Sequence, residues 1–201
     1  NLGAGVGQPT LAGQPAGNYA QSNTDSRYYN ESFPGYYISN PATHTSCKDL
    51  PNANELSWYC MYGDPRWDRD ELWTTMGHLH KGGMWFKKKS VLLAEHHYDT
   101  EKSADGSTDL RTTSMGYNNS SSSITNSGLP SAADAGNYFY LPALGYYTSG
   151  QLNIVGDSGY YWSSSANPWS SNNAYLLNFS SGVVNMSNDR RYYGCRVDGF
   201  E

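Results

Sequence analysis

Four carboxylates, Asp64, Asp68, Asp70 and Glu71, fall within eight positions. Oxygen ligands at that density can hold a hard cation such as calcium. The same residue types also open helices, where they sit near the positive end of the helix dipole. The second role is the expectation here. His78 and His80 lie two apart and His96-His97 are adjacent, yet neither pair has a third ligand at zinc-binding spacing. Serine is too abundant for a Ser/His/Asp set to stand out, and no glycine pattern for cradling phosphate is present. Cys47, Cys60 and Cys195 cannot all pair within one chain. A Cys47–Cys60 bridge and three reduced thiols both remain open. No metal, no cofactor and no catalytic residue is expected.

What remains is recognition chemistry. Apolar residues make up 37% of the 201-residue chain, but aromatics reach 14%, with 18 Tyr and 6 Trp. A mean hydropathy of -0.70 would fit a disordered chain, which that aromatic content excludes. Rings in such number suit strands and irregular loops better than helical bundles. The net charge of -5 argues against a nucleic-acid partner, which requires a basic surface. The one basic run, Lys87-Lys88-Lys89, follows Trp85-Phe86 and is expected to end a strand in solvent. No stretch approaches the roughly 18 apolar residues of a membrane span. The opening Asn1-Leu2-Gly3-Ala4 does not read as a signal peptide.

Several elements must position these residues. Residues 1–34, rich in Gly, Pro, Gln, Asn and Ser, read as an arm or linker. A short strand is expected at Gly35–Ile38. A helix follows near Leu50–Cys60, capped by Asn52 or Asn54, with Leu56, Tyr59 and Cys60 on one face. A second short helix is expected from Asp68 to Met76, with Leu72, Trp73 and Met76 turned inward. Gly82-Gly83 should break the chain before a strand at Met84–Lys88. Residues 99–128 read as a long surface loop. Strands are expected at Tyr138–Leu141, Tyr160–Ser164, Ala174–Ser180, Val183–Ser187 and Gly194–Val197. Early helices and late strands indicate an α+β domain with an antiparallel sheet.

The run from Tyr175 to Ser187 contains the informative pattern. With Ser181-Gly182 as a two-residue turn, Ser180 pairs with Val183, Phe179 with Val184, Asn178 with Asn185, Leu177 with Met186 and Leu176 with Ser187. Alternation then places Leu177, Phe179, Val184 and Met186 on a core face. Leu176, Asn178, Ser180, Val183, Asn185 and Ser187 form the other face. Asp189, Arg190, Tyr192 and Tyr193 continue beyond the hairpin, and Asn167, Ser170, Ser171, Asn172 and Asn173 precede it. Tyr supplies contact area at small entropic cost, and Ser and Asn supply adaptable hydrogen bonds.

The runs Gly159-Tyr160-Tyr161-Trp162-Ser163-Ser164-Ser165, Asn173-Ala174-Tyr175, Ser181-Gly182 and Arg191-Tyr192-Tyr193-Gly194-Cys195-Arg196-Val197 resemble the C-terminal pattern of retroelement-diversified variable proteins. Upstream, Leu50-Pro51, Asn54-Glu55, Trp58-Tyr59, Gly63-Asp64-Pro65-Arg66-Trp67-Asp68 and Leu72-Trp73-Thr74-Thr75-Met76-Gly77-His78 are similar to the same group. The resemblance spans residues 35–201. It implies a C-type-lectin-like fold of the formylglycine-generating-enzyme type, with two short helices on antiparallel sheet and long irregular loops. A variable region of about 160–197 would carry the ligand-contacting surface. In that family adenines are rewritten, often in AAY codons, which cannot then yield Lys, Glu, Gln, Met or Trp. Met186, Trp162 and Trp169 would therefore be fixed.

By the resemblance, Asn167, Asn172, Asn173, Leu176, Asn178, Ser180, Val183, Asn185, Ser187, Asp189, Arg190, Tyr192 and Tyr193 would contact ligand. Trp162, Gly182, Arg191 and Gly194 would be scaffold. The expected partner is a protein or glycan receptor on a target cell, engaged from a microbial cell surface or a phage virion, with homo-oligomerisation an option. Formylglycine generation needs two closely spaced cysteines, and the C-terminal part has only Cys195. Calcium-dependent sugar binding needs triplets of the Glu-Pro-Asn and Trp-Asn-Asp kind, which this chain lacks. A non-diversified surface domain of the same fold is the remaining alternative.

Overall fold

The computed structural model describes residues 20–22, 41–75, 77–170 and 172–201. Nearly all of the expected arm, the strand at Gly35–Ile38, Met76 and Ser171 lie outside the described residues. The chain builds an α+β domain from short helices and mostly antiparallel sheet.

Helix α1 (Ala53–Tyr62) starts where the local chemistry demands. The Asn52 side chain accepts from the Glu55 amide at 3.0 Å, and Glu55 accepts from the Asn52 amide at 2.7 Å. This reciprocal capping satisfies two amides that the helix leaves unpaired. Leu56, Tyr59 and Cys60 enter the core, and the Cys60 thiol donates to the Val184 carbonyl. Asn54, the alternative cap, instead braces a distant loop: its amide donates to Asp109 at 3.0 Å, and its carbonyl oxygen accepts from the Leu110 amide at 2.9 Å.

Residues expected to form a second helix form a strand. β1 (Arg66–Thr75) pairs antiparallel with β2 (His78–Lys87) around Gly77, whose φ is +79°. Trp73 and Leu72 therefore point to opposite faces. Trp73 stacks on His80 with centroids 5.1 Å apart, while Leu72 is 61% exposed. The Asp68 carboxylate does accept from two amides, those of Asp70 and Glu71, but at an irregularity in the strand register. Asp binds nearby amides equally well at a cap and in a turn, so the side chain alone did not discriminate. β2 also runs through Gly82-Gly83 instead of beginning after them. At Gly83 a Cβ would meet the Tyr140 ring 2.4 Å away, so the pair serves close packing, not a break.

The Lys87-Lys88-Lys89 run ends β2 and opens α2 (Lys89–Ala94), with Lys87 on Glu95 at 2.6 Å. The segment expected to be a surface loop is partly ordered. It contains β3 (Tyr117–Asn119), the single turn α3 (Ser123–Asn126), and the buried side chains Leu110 and Ile124. β4 (Tyr138–Pro142) follows a 3-10 turn and completes the first sheet, ordered β1-β2-β4. β5 (Tyr146–Thr148) and β6 (Gln151–Asn153) form a small hairpin. β7 (Ser158–Ala166), β8 (Asn173–Ser180) and β9 (Val183–Arg190) join β3 in a four-stranded sheet ordered β3-β9-β8-β7. Gly194–Val197 is not a strand. It makes single bridges, Gly194 to Tyr147 and Arg196 to Tyr161.

The hairpin of β8 and β9 has the expected register throughout, from Ser180–Val183 to Leu176–Ser187. Leu177, Phe179, Val184 and Met186 are all essentially buried. Phe179 meets Phe86 of the first sheet at 5.9 Å and Tyr161 at 5.9 Å, tying the two sheets together. Among the described residues, no helix is long and apolar enough to cross a membrane.

Two outcomes follow from this packing. At Gly159 a Cβ would lie 2.2 Å from Cζ of Phe179, whereas at Gly182 it would meet nothing within 4 Å, and Gly182 is not in the left-handed region. Gly159→Ala should cost about 1–3 kcal/mol by overpacking in a denaturant titration, and Gly182→Ala should leave the midpoint unchanged. Burial raises the Asp109 pKa, but hydrogen bonds from Arg111 and Asn54 outweigh it and hold the group at about 2. A carboxylate pKa lowered by folding adds stability above its unfolded value near ~4, lost as pH falls through the folded value. Stability should therefore decline between about pH 4 and pH 2. Asp109→Asn should flatten that decline and remove about 2 kcal/mol at neutral pH, read from denaturation at several pH values.

Candidate functional site

The outer face of the four-stranded sheet follows from the register. Tyr160 and Trp162 of β7, Leu176, Asn178 and Ser180 of β8, Val183, Asn185 and Ser187 of β9, and Asn118 of β3 share it. This face is not uniform. One end is covered by a second hydrophobic cluster in which Ala42, Cys47 and Cys195 pack on Trp162, Ala174 and Leu176. The turn end carries Asn178, Ser180, Val183, Asn185 and Ser187, all partly exposed.

A line of polar contacts crosses the open end. Asn118 donates to Asn185, Ser187 donates to Asn178 at 3.4 Å, and Asn178 stands directly opposite Tyr160 in the β7–β8 register. Burial raises the Tyr160 pKa, which keeps the phenol neutral. The line then becomes aromatic. Tyr160 meets Tyr146 at 4.9 Å, Tyr146 meets Tyr193 at 5.2 Å, and Tyr193 meets Tyr192 edge-on at 4.9 Å. Arg190 ends it, donating to the Tyr192 hydroxyl at 2.7 Å with its guanidinium 5.8 Å from the ring centre. Five strands (β3, β9, β8, β7 and β5) and the segment after β9 thus present one continuous uncharged polar and aromatic strip, with Arg190 at its end.

Two expected ligand contacts are buried. Leu176 is 1% exposed because the second cluster covers its end of the face. Asn167 is 2% exposed and braces its own loop, donating to Ser114 at 2.9 Å and accepting from the Trp169 amide at 2.8 Å. Asn173 is half-buried and donates to Asn188 at 2.8 Å, clamping the open end of the hairpin. Asn172 is exposed, and its carbonyl accepts from the Arg191 amide at 3.0 Å. Asp189 is partly exposed and accepts from the Arg190 amide at 2.7 Å. Tyr192 and Tyr193 are partly exposed.

Among the expected scaffold residues, Trp162 is fully buried and Arg191 is 3% exposed. Gly194 exchanges two backbone hydrogen bonds with Tyr147. Gly182 has open space around it, so the fold itself does not require a glycine there. Of the other residues expected to be fixed, Met186 is buried and Trp169 is 52% exposed. Asn118 and Tyr146, absent from the expected site, belong to it. Their short strands, three residues each, carry too little alternation to be read locally.

Among the described residues, no three His, Cys, Asp or Glu side chains gather as a metal site. Asp64 instead pairs with Arg66 at 2.8 Å and accepts from Tyr138 at 2.6 Å, and Asp68 accepts from Trp85 at 3.0 Å. The cysteines carry thiols and form no disulfide. Cys47 lies in the second cluster and Cys60 in the main core, which rules out the bridge between them.

A family model described as a domain of unknown function (DUF8237) matches residues 95–200. The matched span includes all four strands of the sheet that bears the strip. No curated protein and no solved structure matches the chain.

The neighbours Arg190 and Arg191 separate two roles, since one is fully exposed and the other buried. Arg191→Ala should cost about 2 kcal/mol or more, as truncation of a large buried side chain does. Arg190→Ala should leave the thermal midpoint unchanged. Thermal melts of both variants check the contrast.

Proposed function

The chain belongs to this family of unknown function, and from the open end of its sheet we propose that it is a receptor-binding domain, not an enzyme. The observation that carries the reading is the continuous strip from Asn118 through Asn185, Asn178, Tyr160, Tyr146 and Tyr193 to Arg190. It combines rigid aromatic area with adaptable amides and hydroxyls, the composition that recognition surfaces use. The main core lies on the opposite face, so Asn118, Asn185, Asn178 and Arg190 can change without loss of that core, while Tyr160, Tyr146 and Tyr193 also pack on the second cluster. That separation supports the likeness to retroelement-diversified proteins of C-type-lectin-like fold, in which such a face changes from copy to copy. Asn178, Ser180, Val183, Asn185, Ser187, Asp189, Arg190, Tyr192 and Tyr193 are all residue types reachable from an AAY codon.

A non-catalytic role is supported by the thiols. Burial pushes the Cys60 thiol up to about 12 and the Cys195 thiol well above its ordinary value. A protonated, enclosed thiol is neither a nucleophile nor a metal ligand. The partner in this reading is a protein or glycan on a target cell, met from a microbial surface or a phage tail.

Binding to intact candidate host cells tests the role. Asn185→Ala, Asn178→Ala and Tyr192→Ala should each weaken binding about ten-fold (1.4 kcal/mol) or more at unchanged melting temperature. Retained binding in all three folded variants would remove the strip from consideration.

A further inference from the structure

A cleft of about 590 Å³ opens at the turn end of the strip, between the two sheets. Its size falls within the range of small-molecule sites. Trp67, Arg69 and Lys81 line one side, and Ser180, Ser181 and Asp157 line the other. Ser180 stands on the outer face of the four-stranded sheet, paired with Ser158 across β7, so the cleft and the strip are continuous. The floor is made by close approach. Gly82, at φ +97°, leaves room for the Gly156 carbonyl, where a Cβ would come within 2.6 Å, and it lies against the Trp67 ring.

The charges in this cleft are unequally satisfied. Across the β1–β2 hairpin Lys81 reaches Asp70 at 3.4 Å. Among the described residues, Arg69 pairs with no carboxylate, although it is exposed at the cleft wall. A guanidinium presents a planar fork matched to a carboxylate. Beside it are a half-buried indole held against the main core, two serine hydroxyls that both donate and accept, and an exposed aspartate able to accept from hydroxyls. A bare anion would use only the first of these groups. A sugar ring bearing a carboxylate would use them all.

We infer that this cleft is a subsite for an acidic saccharide unit, its carboxylate on Arg69, its ring against Trp67 and its hydroxyls on Ser180, Ser181 and Asp157. The inference deepens the receptor-binding reading by naming the class of ligand at one end of the strip, and it rests on that reading for its biological setting. Glucuronic acid, glucose and acetate separate the contributions, because the sugars differ at one carbon and acetate lacks the ring. In titrations followed by NMR, glucuronic acid should bind at least about ten-fold tighter than glucose or acetate. Arg69→Gln should abolish that preference at unchanged melting temperature.

Equal binding of acetate would reduce the cleft to an anion site and overturn the inference. Equal binding of glucose, or an unchanged preference in Arg69→Gln, would overturn it as well. Asn185→Ala and Tyr192→Ala should leave the glucuronic acid titration intact. If they do and cell binding is still insensitive to them, the subsite stands and the strip reading fails. If they abolish cell binding while Arg69→Gln titrates like the parent chain, the strip stands and the subsite fails.

Discussion

The architecture rests on the seating of Phe179. Its ring lies where Gly159 has no side chain, faces Phe86 of the first sheet, and stacks near Tyr161. A residue on a strand can occupy only one face, so placing Phe179 inward also places Leu177 inward and sends Asn178 and Ser180 out. The cross-strand pairs carry the choice to β9, where Val184 and Met186 turn in and Asn185 and Ser187 turn out. One aromatic contact between sheets thus sets the orientation of most of the strip.

The outer face is a surface only because its cover is incomplete. In the second cluster Ala42, Cys47 and Cys195, with Leu50, Tyr193 and Val197 packed around them, help to bury Trp162 and Leu176. Toward the turn the side chains become polar and nothing among the described residues packs over them. The domain therefore spends its few aliphatic residues on two compact clusters and uses tyrosine where area must remain in contact with water. Tyrosine suits that position because its body is apolar and its tip hydrogen-bonds.

The two sheets also define what lies between them. The β1–β2 hairpin lines the cleft that begins at Ser180, and Arg69, from the Asp68–Met76 run that forms a strand instead of the expected helix, supplies its guanidinium beside the Trp67 indole. As a helix, that run would not have set Trp67 and Arg69 along the wall of one cleft. The strip and the cleft differ in construction: the strip stands on the outer face of one sheet and the adjoining β5–β6 hairpin, while the cleft depends on glycine-mediated packing between sheet and loop.

The α+β class, a cap of α1 at Asn52 or Asn54 and the whole β8–β9 register were legible in the sequence. Each depends on residues within a few positions of one another, where alternation and side-chain-to-amide geometry act directly. Outward direction was legible for Asn178, Asn185 and Ser187 for the same reason. Whether an outward residue is also exposed was not. Leu176 shares their face but is covered by Cys47 and Cys195, each far away along the chain. Asn167 was claimed by Ser114 in a loop that the sequence left undetermined, and Trp169 was left out in solvent. Local periodicity decides which way a side chain points; only the assembled fold brings in the distant segments that leave it open to solvent or seal it.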